Sequence, residues 1–268
     1  MRVRVVAPAR RLDREVAARL EELTKRDFPS LDLEIDEQCF AQAGHFAGSD
    51  EERARALIRA MGDDAVDAVW FARGGYGSCR LLDAVLTEMS PRDKKPFVLG
   101  YSDTGYLLAA FYTRQLGRSV HAPMPADLLR GGGEAAVSRT LAVLSGDSAG
   151  TEPSSRNEPT IALNLSILAS LAAGPHLPDL RGRVVQIEEV SEHLYAIDRA
   201  LFTIISSGRL GGAKGIRLGR ISDIPENDIP FGEKAEEIVR KWAEAASVPY
   251  LGRADIGHDS DNKVVVFR

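Results

Sequence analysis

Short apolar runs alternate with amphipathic stretches along most of the chain. Residues 3–6 read as an opening strand, and residues 14–26 carry Val16, Leu20 and Leu23 at near-helical spacing. A helix is expected from Asp50, with Glu51 and Glu52 in its first turn, where negative charge suits the helix dipole, and with Leu57, Ile58 and Met61 further along. Residues 66–72 form a continuous apolar run, the pattern of a buried strand, and lead into Arg73-Gly74-Gly75-Tyr76-Gly77. A helix over 81–89, a strand over 97–101 and helices over 104–116 and 134–144 continue the alternation. Further on, strands are expected at 184–188, 215–218 and 263–267, and helices at 165–173, 194–206 and 232–246. Such alternation builds parallel sheets covered by helices, so the fold class is α/β.

One stretch breaks the pattern. Residues 145–155, Ser-Gly-Asp-Ser-Ala-Gly-Thr-Glu-Pro-Ser-Ser, are small, polar and punctuated by Gly and Pro. They read as a linker between an N-terminal α/β domain (1–144) and a smaller C-terminal α/β domain (156–268). No internal repeat and no low-complexity tract interrupts either part.

Composition narrows the functional classes. The 268 residues are 44% hydrophobic and 27% charged, ordinary for a globular protein, and the net charge of -5 argues against a nucleic-acid partner. No apolar run approaches the roughly 20 residues of a membrane helix. The opening apolar stretch ends too soon, at Arg10-Arg11, for a signal peptide, so a cytoplasmic protein is expected. Cys39 and Cys79 alone make neither a disulfide framework nor a zinc site. With no His-Glu-x-x-His or Cys-x-x-Cys spacing, neither a metal nor a cofactor is expected.

Three segments carry candidate chemistry. Phe97-Val98-Leu99-Gly100-Tyr101-Ser102-Asp103-Thr104-Gly105 reads as strand, sharp turn and helix, which lifts Ser102 off the carboxyl end of a sheet. The match to G-x-S-x-G is imperfect, because Thr104 stands where the second Gly would be, and Ser102 as a plain helix cap is the competing reading. The glycine loop at 73–77 lacks the Lys-Ser/Thr of a phosphate-binding loop and suits backbone donation to an oxyanion, or simply a tight turn. The strand ending in Glu188-Glu189 puts one carboxylate on each face. His258 follows Gly257 in a loop, and sequence alone does not choose it over His45, His121, His176 or His193. A hydroxyl, a carboxylate and a His are the groups that serine-dependent acyl transfer requires.

Together these segments resemble the LD-carboxypeptidase family, which includes murein tetrapeptide carboxypeptidases and microcin C self-immunity proteins. The resemblance runs through Gly48-Ser49-Asp50-Glu51-Glu52-Arg53, Ala72–Gly77 with Arg80-Leu81-Leu82, Gly100–Thr104, Asn164-Leu165-Ser166, Glu188–Glu192 with Tyr195–Arg199, and Gly257-His258. It implies that Ser102 is the nucleophile, Glu188 the orienting carboxylate (with Glu189 as the fallback) and His258 the general base. It implies oxyanion donors on the backbone of Asp103 and around Gly75. It also implies a flavodoxin-like or amidotransferase-like first domain, a small murein-tetrapeptide-like substrate and a homodimer. A peptidyl-nucleotide or other small amide is the alternative substrate, and a non-catalytic ligand-binding module the alternative class. The chain departs from the family at Pro8-Ala9-Arg10 (usually Pro-Ser-Gly), at His121-Ala122-Pro123-Met124 (usually His-Gly-Pro-Met) and at Leu163 (usually Gly). Residues 259–266 lack the usual Pro-Leu-Gly. Arg73, Arg220 and Arg253 lie near expected strand ends and are candidates to meet a substrate carboxylate, although ordinary surface or structural roles compete.

Overall fold

The computed structural model describes residues 1–268. Its first part runs β1 (Arg2–Val6), α1 (Arg14–Asp27), β2 (Asp32–Ile35), α2 (Asp50–Gly62), β3 (Ala68–Phe71), α3 (Leu82–Glu88), β4 (Phe97–Gly100), α4 (Gly105–Thr113), β5 (Arg118–His121) and α5 (Gly133–Leu144). The second part runs β6 (Thr160–Asn164), α6 (Leu165–Ala172), β7 (Val184–Val190), α7 (Leu194–Ser206), β8 (Gly215–Ser222), α8 (Ala235–Ala245), β9 (Tyr250–Arg253) and β10 (Val265–Val266).

The first five strands are parallel in the order β2-β1-β3-β4-β5. This is the flavodoxin-like order, with its reversal of winding between β1 and β3. The loops after β1, β3 and β4 therefore converge at the carboxyl edge, where open α/β sheets bind ligands. A second parallel sheet has the order β6-β7-β8-β9.

Local chemistry explains the boundaries. Ser49 and Glu52 close a capping box at the start of α2, each satisfying a backbone donor that the first turn leaves free. Strand β3 is buried on both faces, and its residues divide between two cores. Val69 and Phe71 join a core of 46 residues, and Ala68 and Trp70 join one of 22. The larger core also takes in Leu163, Leu168 and Ile187, so the two sheets share one continuous apolar interior. Gly105 lies at this seam, where an added Cβ would stand 3.1 Å from Leu163 and 3.2 Å from Ile167.

Two expectations change here. The run at 145–155 has the composition of a loose linker, yet hydrogen bonds pin it. The buried Glu152 carboxylate accepts from Ser155 N at 3.0 Å and from Gln186 Nε2 at 2.9 Å, and its own N–H reaches Val264 O at 2.9 Å. Arg156 donates to the carbonyls of Ser148 and Ala149. The strand near 263–267, expected in the second sheet, instead pairs antiparallel with β5 on the edge of the first.

Candidate active site

Strand β4 ends at Gly100, whose missing side chain lets Phe71 approach, since a Cβ there would stand 2.8 Å from the ring. The chain then turns sharply. Ser102 has φ 59°, a left-handed conformation that costs a non-glycine residue energy. It opens a short 3₁₀ turn before α4, and its side chain caps no helix, so the cap reading does not apply. The residue pressed against Ser102 is Gly74, where an added Cβ would lie 3.1 Å from Ser102 Cβ and 3.2 Å from Oγ. Sequence reasoning pointed to Gly75. At Gly75, φ is 111° and an added Cβ would run into the stem of Arg10. The N–H groups of Gly74 and Gly75 donate to no group of the protein.

Asp103 holds this loop in place. Its buried carboxylate accepts from Gly77 N at 3.2 Å and from Ser78 N at 3.0 Å, and Ser78 Oγ donates to its carbonyl at 2.6 Å. Burial raises the Asp103 pKa despite those donors, which partly offset it. The buried Arg53 braces the other side through the carbonyls of Pro8 and Gly77.

On the second sheet the two neighbouring glutamates part company. Glu189 turns to the start of α6. It accepts from Asn164 Nδ2 at 2.6 Å, Ser166 N at 2.9 Å, Ser166 Oγ at 2.6 Å and Val190 N at 2.9 Å. Glu188 is fully buried and meets His258, with Oε2 2.5 Å from Nδ1. Gly219 on β8 makes room for it, since a Cβ there would be 3.0 Å from Glu188 Cβ and 2.7 Å from Ile256. Burial pulls the His258 pKa down, but the charge of Glu188 and its hydrogen bond outweigh this, and the pKa is raised.

The loop that carries His258 is held by residues of the first part. The Tyr101 ring lies 4.7 Å from the imidazole, and the Tyr101 hydroxyl donates to Asp127 Oδ1 at 2.7 Å. Arg130 donates to the His258 carbonyl and lies 3.4 Å from Asp127. Asn262 Oδ1 accepts from Gly257 N at 3.2 Å and stands 3.1 Å from His121 Nε2. Sequence reasoning missed Tyr101, Asp127, Arg130 and Asn262, because no spacing rule marks a loop brace.

Ser102 and His258 line one cavity of about 560 Å³. Its wall also includes Arg10, Arg73, Gly74, Gly75, Tyr101, Met124, Asp127, Arg130, Val190, Ser191 and Asp223. His258 Nε2 is buried and has no hydrogen-bond partner, so no Ser102–His258 hydrogen bond is made in this state. Such contacts commonly close only when substrate binds. Of the three arginines singled out by sequence, only Arg73 reaches the cavity. Arg220 is held by Asp255 and Asp259, and Arg253 pairs with Glu236 at 3.6 Å. No group of His, Cys, Asp and Glu side chains is arranged to hold a metal, and no helix is long and apolar enough to cross a membrane.

Comparison with known proteins gives this geometry its context. A murein tetrapeptide carboxypeptidase of Pseudomonas aeruginosa is 28% identical over 98% of this chain and 89% of that protein. A Streptomyces coelicolor relative is 36% identical over 65% of this chain and 60% of its own length. A muramoyltetrapeptide carboxypeptidase structure from Oxalobacter formigenes shares the fold, with a TM-score of 0.79 at 22% identity over 98% of this chain and 92% of that one. So does the MccF structure in complex with glutamyl sulfamoyl guanosine, with a TM-score of 0.79 at 14% identity over 99% and 90%. The chain has the fold of these solved structures, and its membership rests on the family models. It belongs to the LD-carboxypeptidase family, whose N-terminal domain matches residues 3–122 and whose C-terminal domain matches residues 159–268.

Proposed function

We propose that the protein hydrolyses an L,D amide bond and releases a C-terminal D-amino acid, D-alanine from a murein tetrapeptide, through an acyl-enzyme on Ser102. The observation that carries this reading is the 2.5 Å contact of Glu188 with His258 Nδ1, which leaves Nε2 unpaired on a histidine that lines the same cavity as Ser102. Glu188 fixes the tautomer, with the proton on Nδ1 and the lone pair on Nε2. His258 Nε2 takes the Ser102 proton as Oγ attacks the amide carbonyl. The oxyanion is met by backbone N–H groups of Asp103 and of the loop at Gly74 and Gly75. Collapse breaks the C–N bond, and the proton on Nε2 goes to the leaving amine. Water then attacks the ester carbonyl and gives its proton to His258, which passes it to Ser102 Oγ as the acyl C–O bond breaks.

The test is incubation with L-Ala-γ-D-Glu-meso-diaminopimelate-D-Ala, with D-alanine read by mass spectrometry. Release that disappears in Ser102→Ala and His258→Ala supports the reading. Undiminished release from Ser102→Ala removes it. A peptidyl-nucleotide is the second reading, because MccF, a neighbour in fold, is solved with a sulfamoyl nucleoside. The cavity is within the usual 300–1,000 Å³ range for either ligand. A non-catalytic binding module is the other class, and tight nucleotide binding without amide turnover would favour it.

A further inference from the structure

The cavity wall carries more positive charge than the proposed chemistry uses. Arg10, Arg73 and Arg130 all reach the lining. Arg130 is occupied, holding the His258 carbonyl and lying 3.4 Å from Asp127. The other two are not neutralised. Arg10 makes no ion pair, and Arg73 has only Asp13, at 4.0 Å. Asp13 also stands 4.0 Å from Arg11, and its side chain is 47% exposed, so one half-solvated carboxylate is shared by Arg11 and Arg73. Asp223, the remaining free acid on the lining, pairs with none of them.

Arg73 is the more costly of the two to leave unpaired. Only 27% of its side chain is exposed, and burial, followed by the charge of Arg10, pulls its pKa down. The guanidinium of Arg73 therefore lies partly out of water, beside a second cation, on the rim of the site. The stem of Arg10 lies against Gly75, at the place an added Cβ would take. Both cations thus sit on the glycine loop that presses on Ser102. A planar guanidinium meets a carboxylate through two parallel hydrogen bonds, and partial burial strengthens the pair.

We infer that Arg10 and Arg73 form the subsite that holds the free terminal carboxylate of the substrate. This inference rests on the proposed hydrolase function. The loop then links the two requirements. The groups that recognise the chain end sit on the backbone that borders the nucleophile, which sets how far from the chain end the cut falls.

The test compares the tetrapeptide L-Ala-γ-D-Glu-meso-diaminopimelate-D-Ala with its terminal D-alaninamide. One charged pair of this kind should favour the acid by about 10- to 100-fold in kcat/KM. Arg10→Met keeps the stem over Gly75 and removes the charge, and Arg73→Met does the same at its position. Each should narrow the acid-to-amide ratio, the loss falling mainly on KM for the acid, and the double variant should bring the ratio near unity. Arg73→Lys should restore part of it, since an ammonium keeps the charge but not the two-pronged geometry. Equal losses on acid and amide would overturn the inference, as would an undiminished ratio. If the wild-type protein cleaves neither form, the proposed function fails, and the subsite is judged by calorimetric titration of Ser102→Ala with both peptides. Preference for the acid that vanishes on adding Arg10→Met and Arg73→Met sustains it. No preference, or no binding of either peptide, refutes it.

Discussion

At the scale of single residues, the proposed catalysis depends on which way two adjacent glutamates point. Strand alternation predicts that Glu188 and Glu189 face opposite sides, but it does not say which one faces the histidine. That choice comes from Asn164 and Ser166, which sit on another strand and helix and take Glu189 away. Glu188→Gln should therefore lower kcat by about 10³- to 10⁴-fold, as losing the orienting carboxylate does in serine hydrolases. Glu189→Gln should lower the melting temperature while sparing far more of kcat. Comparable losses of kcat in both variants would contradict the assignment. The pH profile gives an independent check. A general base works when neutral, and Glu188 raises the His258 pKa above its ordinary 6.5. The ascending limb of kcat/KM should thus lie above pH 6.5, and in the residual activity of Glu188→Gln it should move to lower pH. The same sign governs stability. The His258–Glu188 pair contributes fully below the unfolded pKa of histidine, and that contribution is lost as pH rises through the raised folded pKa.

At the scale of elements, the site is a set of strand ends. The turn after β4 carries Ser102, the loop after β3 carries the free N–H groups of Gly74 and Gly75, and the end of β7 carries Glu188. Asp103 joins the first two, because its carboxylate holds Gly77 and Ser78 while its neighbour is the proposed nucleophile. Asp103→Ala should let the loop drift from Ser102 and cost about 10²-fold in kcat, comparable with losing one oxyanion donor. Its effect on KM should be smaller. An unchanged kcat would mean that the loop holds its position without this clamp. Most of the parallel strands and their helices were legible from apolar runs and glycine punctuation, but β6, only five residues long, was not. Strand β2 was not, because Asp-Leu-Glu-Ile is an edge strand with one polar face, and there Glu34 binds Arg2 and Arg4. Strand β9 was also missed, being cut by Gly252 at φ 86°. The braces around His258 were illegible for a different reason. They join residues more than a hundred positions apart, such as Arg130 with His258 and His121 with Asn262, and no local pattern encodes such a pairing.

At the scale of the whole molecule, the question is what keeps Ser102 and His258 in register, since Ser102 follows a strand of the first sheet and His258 lies in the loop that crosses from β9 of the second sheet to β10 of the first. A dimer was one expectation, and light scattering at micromolar concentration should show about twice the 29.1 kDa chain mass if two-fold assembly supports the site. Within one chain, however, three features already tie the halves together: the shared core of 46 residues, the pinned segment at 145–155, and the return of β10 to β5. Residues 262–268 act as a strap. Val264 bonds with Gly150 and Glu152, Phe267 N reaches Ser119 O at 2.9 Å, and Arg268 N reaches Thr160 O at 3.2 Å. Two halves joined this closely should unfold as one cooperative unit rather than as separate domains. The tryptophans allow this to be read directly, because Trp70 lies in β3 of the first sheet and Trp242 in α8 against the second. In Trp242→Phe the fluorescence reports the first half alone, and in Trp70→Phe it reports the second. Within each variant the fluorescence and far-UV circular dichroism midpoints in urea should coincide. A Trp242 transition separated from the circular dichroism would mean that the second sheet opens independently. The site would then be assembled only when the halves happen to dock, and a fully active monomer would be hard to explain.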